Sequence, residues 1–238
     1  MQGITLDSRA LRRVRRYVVL IAAAAMMTYV VFLLAPGRTV LERLSTATAY
    51  ASLVLLALAL TFGPLNVLRA KPNPLSSYLR RDIGIVAGSV ALVHVVLGLQ
   101  VHMGGDFIQY FFQRKHSGGV GSLRLDAFGI TNHIGLIATV IFLVLLAISS
   151  DVAMRKLRPQ RWKTIQRWTY VAALLVIVHG FVYQALERQN LGFVVLVVVV
   201  ALTVAALQAF GFWRRKEADK PAVESLSSLR ARGIKDDN

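Results

Sequence analysis

The sequence predicts an all-α polytopic membrane protein: a six-transmembrane-helix bundle with both termini cytoplasmic. Three observations lead there. Six runs without a single Asp, Glu, Lys or Arg divide the 238 residues, at 17–35, 46–68, 83–105, 127–150, 168–186 and 189–213. Each is long enough for a helix rising 1.5 Å per residue to cross a hydrocarbon core of roughly 30 Å. The composition is 55% hydrophobic, with 28 Lys and Arg against 12 Asp and Glu, and those cations gather in alternate connections. Long Leu/Ala/Val runs are not barrel strands, and lipid offers no partner to an unpaired backbone, so helices are the expected form.

Taken in order, residues 1–16 form a basic cytoplasmic segment holding Arg9, Arg12, Arg13, Arg15 and Arg16. The run at 17–35 is too long for a signal-peptide core and no A-x-A site follows it, so it is read as an uncleaved anchor helix. Between the second and third runs lie Arg69, Lys71, Arg80 and Arg81, with Pro72-Asn73-Pro74 making a rigid turn. Six more cations fall in 151–167 and seven after Trp213, whereas the intervening connections hold only Arg38, Arg43, Arg114, Lys115, Arg124 and Arg188. That asymmetry places the cation-rich side in the cytoplasm. The net charge of +16 is therefore a topology signal with anionic lipid headgroups as counterions, and nucleic acid is not an expected partner. The 104–126 connection carries Phe107, Tyr110, Phe111 and Phe112 and is expected to rest on the bundle. Residues 17–213 thus form one membrane domain. The polar tail at 214–238 is expected to be disordered, and is too short for a flavin or nicotinamide domain.

The absence of cysteine excludes disulfide scaffolds and Cys-ligated metal sites. With no charged group in the runs, a relay for proton or ion transport has little to work with. What remains at depth is His94, His102, His133 and His179. Neutral imidazole ligates iron, and a pair of histidines from two helices can hold a b-type haem between them. His94 stands eleven residues into the third run and His179 eleven into the fifth, each about 16 Å from the cytoplasmic end. Both helices leave the cytoplasm, so the two side chains share one level. His133 enters from the opposite side and reaches a similar layer, which makes it a competitor. Gly84, Gly88, Ala91, Gly98 and Gly180 leave room for a porphyrin, although small residues also serve helix packing. Two other classes stay open: a small-solute or ion transporter using the histidines as pathway groups, and a non-catalytic membrane assembly protein.

Beyond these positions, Arg80-Arg81-x-x-Gly84 with His94 ten residues on, Leu146-Ala147-x-Ser149-Ser150, Arg155-Lys156-Leu157, Arg161-Trp162 and His179 resemble the ferric reductase-like transmembrane superfamily. The similarity spans residues 50–186 and is nearest the YedZ/MsrQ type, the haem-bearing membrane subunit of a periplasmic methionine-sulfoxide reductase system. The resemblance implies a multi-pass protein of the bacterial inner membrane. It implies haem b ligated by His94 and His179, with FMN in some members. It also implies one-electron transfer from quinol or a separate flavin reductase to a periplasmic or extracellular redox partner. Where the family has a further histidine 13 residues before the one matching His179, this chain has Gln166. One haem is therefore expected, in the outer half, with His133 near a propionate, replacing a ligand, or only packing.

Overall fold

A computed structural model describes residues 8–68, 74–115 and 118–231. The turn expected at Pro72-Asn73-Pro74 and the loop residue His116 lie wholly or partly outside them. Eight α-helices are present among the described residues: α1 (Ser8–Leu34), α2 (Val40–Leu68), α3 (Pro74–Val101), α4 (Ala127–Ile148), α5 (Asp151–Lys156), α6 (Pro159–Gln166), α7 (Trp168–Val182) and α8 (Leu191–Ala231). Six helical segments are long and apolar enough to cross a membrane. This is a multi-pass membrane bundle.

Local chemistry sets the boundaries. Asp126 caps α4, its carboxylate accepting from the Gly129 amide at 2.7 Å, and Ser150 caps α5 by accepting from Ala153 at 3.1 Å. Pro159 opens α6 with the fixed φ that suits a first turn. The α7 helix widens into a π-helical turn over Tyr183–Arg188, which Gln189 closes in the left-handed region at φ 50°. Where α8 crosses α2, a Cβ on Gly211 would stand 2.9 Å from Pro64 Cβ, so only glycine lets the helices close to this distance.

Between α3 and α4 the chain forms two short 3₁₀ turns and an antiparallel hairpin, β1 (Phe112–Arg114) with β2 (Val120–Leu123). Tyr110 pins this connection to the bundle. Its hydroxyl donates to Gly98 O at 2.9 Å and accepts from the His102 amide at 2.8 Å. We call this the hairpin end of the bundle.

At the opposite end the helices extend past the uncharged runs, and one expectation fails. Charged side chains do occur within the helices that span. Asp82 lies in the Tyr78–Val101 span and is completely buried, against Arg16 of α1. The uncharged run began one residue later, at Ile83, because composition cannot show that helices bring a guanidinium to meet the carboxylate. The α8 helix runs past Trp213 as far as Ala231.

Next to the Asp82 ion pair the core is apolar. Leu56, Leu60, Ile83, Ala87, Phe142, Ala172 and Ala173 form one buried cluster drawn from α2, α3, α4 and α7. A cavity opens on the hairpin side of it.

Candidate functional site

Residues of α2, α3, α4, α7 and α8, with the π-helical turn and the connection before β1, line this cavity, whose volume is about 470 Å³. Its size falls in the range that enclosed small-molecule and cofactor sites occupy. Leu53 and Phe142 lie at its inner end, with Ala49, Gly98, Gly135 and Val176 along its sides. His94 from α3 and His179 from α7 both face it, with ring centroids 6.5 Å apart and planes inclined at 69°.

Each ring is held by its Nδ1. His94 Nδ1 lies 2.9 Å from the Ser45 carbonyl of α2, and His179 Nδ1 lies 2.9 Å from the Thr131 carbonyl of α4. A carbonyl oxygen can only accept, so Nδ1 carries the proton in both rings and Nε2 keeps its lone pair. The same contact makes the ring a better donor to a metal and fixes its orientation. Imidazole nitrogen binds a first-row metal at about 2 Å, so two rings on opposite sides of one atom have centroids roughly 6 Å apart. The observed separation matches that arrangement.

A bare ion is a poor fit. Structural and catalytic metal sites use three or four protein ligands, and among the described residues no group of three or more His, Cys, Asp or Glu is placed to supply them. The pair suits a metal that brings its remaining ligands with it.

Gly135 is a site residue that sequence reasoning missed. A Cβ there would lie 3.0 Å from both Cε1 and Nδ1 of His179. The glycines singled out from the sequence do less at this point. Gly88 packs on Leu146, Gly84 meets nothing within 4 Å, and Gly98 alone approaches a site ring, with its Cβ position 3.7 Å from His94 Cε1. Gly135→Ala is expected to push the His179 ring off its carbonyl. Loss of such an orienting contact typically costs 10–100-fold in metal-site affinity, to be read by titration of the site ligand into purified protein. An unchanged affinity would remove Gly135 from the site.

His133 is placed elsewhere. Its Nδ1 meets the Gly129 carbonyl one turn back at 2.6 Å, its ring packs edge-on against Phe111 at 5.4 Å, and it does not line the cavity. Equal depth brought it into consideration, but α4 turns it to another face. His102 does line the cavity, at the hairpin end, where it shares a hydrogen bond with the Tyr183 hydroxyl. Tyr183 in turn stacks on His179, 6.1 Å between centroids and 15° between planes. The π-helical turn is what presents Tyr183, Gln184 and Arg188 to the cavity together, a local widening that recurs at functional sites.

A model of the ferric reductase-like transmembrane component matches residues 21–177. The chain belongs to that family. The match takes in His94 and most of the bundle and ends just before His179. Family membership points to electron transfer across the membrane as the general activity. No curated protein matches the chain closely enough to stand as a relative.

Proposed function

We propose that this ferric reductase-like protein carries out one-electron transfer through a single b-type haem, with His94 and His179 as its axial ligands. The observation that carries the reading is the pair of imidazoles at 6.5 Å, each with Nδ1–H committed to a backbone carbonyl and Nε2 left to the cavity. Such a group supplies reversible one-electron chemistry and four equatorial nitrogens, which answers the shortage of protein ligands. Ser45 and Thr131 orient the two rings, Gly135 leaves His179 its place, and Leu53, Phe142 and Val176 keep water from the inner end.

The single-haem part rests on the other half of the bundle. Gln166 stands where the family has a histidine, and an amide is a poor axial ligand. Close packing of Ile83, Ala87, Phe142, Ala172 and Ala173 also supports one cofactor rather than two. Thirteen helical residues separate Gln166 from His179, about 20 Å along the axis. That span favours membrane quinol over a cytoplasmic flavin reductase as donor. The YedZ/MsrQ likeness supports placement in a bacterial inner membrane, with the hairpin end towards a periplasmic redox partner.

The purified protein is expected to hold one haem per chain and to be reduced by a short-chain quinol faster than by a flavin reductase with nicotinamide cofactor. Chemical assay of haem against protein checks the first, and stopped-flow absorbance the second. Absence of haem would end the reading. Two haems per chain, or fast flavoprotein reduction without quinone, would end the single-haem and quinol parts.

A further inference from the structure

Two nitrogen donors at the hairpin end of the cavity give their protons to nothing in the protein. Arg188 Nε and Asn132 Nδ2 are both buried without a hydrogen-bond partner, and both residues line the cavity. Buried N–H groups are rarely left so, and when they are, a ligand is a common reason. The Arg188 guanidinium meets a Glu42 carboxylate oxygen through Nη1 at 3.2 Å and also interacts with the Tyr183 hydroxyl, which leaves its Nε–H as the donor without a partner. Both residues lie on the hairpin side of the imidazoles. Asn132 precedes Gly135 by about one turn of α4, and Arg188 follows His179 across the π-helical turn. The opposite end of the cavity, at Leu53 and Phe142, is apolar.

The cavity therefore has a polarity, with N–H donors and a cation at one end and hydrocarbon at the other. We infer that Arg188 and Asn132 form a carboxylate-binding subsite that takes the acid groups of the tetrapyrrole, so that its acid edge faces the hairpin end. The inference rests on the haem reading above. A guanidinium N–H is a charge-assisted donor to a carboxylate, and an amide NH₂ supplies a second donor without adding charge. Arg188 and Asn132 would act here as positioning residues, since the side chains proposed to ligate the metal are those of His94 and His179.

The test compares haem b with its dimethyl ester, in which both acids are blocked, on haem-free protein purified from haem-deficient cells. Binding is followed by Soret absorbance. Wild-type protein is expected to bind the free acid at least about tenfold more tightly than the ester, the factor one charge-assisted hydrogen bond supplies. Arg188→Ala combined with Asn132→Ala is expected to bind the two forms with similar affinity, while the low-spin spectrum of two axial histidines persists. Equal affinity of the wild type for both forms, with that spectrum present, would overturn the subsite and leave the haem reading standing. If the wild type binds neither form, the haem reading falls and the subsite with it. Because the wild-type comparison decides alone, a variant that failed to fold would not rescue the proposal.

Discussion

If the proposed haem is present, wild-type membranes are expected to show a reduced b-type absorption and membranes carrying His94→Ala or His179→Ala to lack it, with protein level unchanged on an immunoblot. Each imidazole lines the cavity and is held there through Nδ1 by a carbonyl of another helix. Orienting contacts alone are worth 10–100-fold in metal-site affinity, so losing the ligand itself should cost more than about 100-fold. His133→Ala makes the contrast. Its ring packs on the far side of a lining residue, Phe111, and does not itself line the cavity, so this variant is expected to keep the wild-type spectrum. Dithionite-reduced minus oxidised difference spectra across the three variants read the outcome. Loss of colour in His133→Ala, with colour retained in His179→Ala, would overturn the ligand assignment.

The spans were legible because uncharged length is a one-dimensional property, and a fixed rise per residue carries it directly into depth. The same arithmetic put His94 and His179 on one level. It could not tell which way a ring faces, and so it admitted His133, which α4 turns towards Phe111. The contacts that orient the pair were illegible for a different reason. They come from the backbone carbonyls of Ser45 and Thr131, 49 and 48 residues away in the chain, and every residue type carries such a carbonyl. Gly135 was passed over because its value lies in the ring beside it and not in its own neighbourhood in sequence. The π-helical turn leaves no mark in composition, yet it decides that Tyr183, Gln184 and Arg188 reach the cavity. Asp82 shows the limit most plainly, because its burial is a tertiary fact created by α1.

Asp82→Ala should be the most destabilising single change away from the cavity. The carboxylate is 0% exposed and receives the Tyr17 hydroxyl at 3.1 Å, with Arg16 Nη2 at 3.3 Å and Arg81 Nε at 3.9 Å. These contacts fasten α1, a helix with little other burial, to α3. Removing one partner of a buried ion pair costs roughly 3–5 kcal/mol, because the remaining charge keeps its desolvation and loses its compensation. Arg16 is 32% exposed and can recover some solvation, so the lower end of that range is expected. Asp82→Asn should cost less, since the amide oxygen still accepts from Tyr17. The check is thermal unfolding of the detergent-solubilised protein, with α1 accessibility followed by limited proteolysis. Asp82 precedes His94 by twelve residues of one helix, about 18 Å, so the absorption spectrum below the transition should not move. A spectrum altered in Asp82→Ala without loss of thermal stability would mean that this carboxylate serves the cavity and does not fasten α1. If the variant melts where the wild type does, the ion pair contributes nothing to holding the first helix in the bundle.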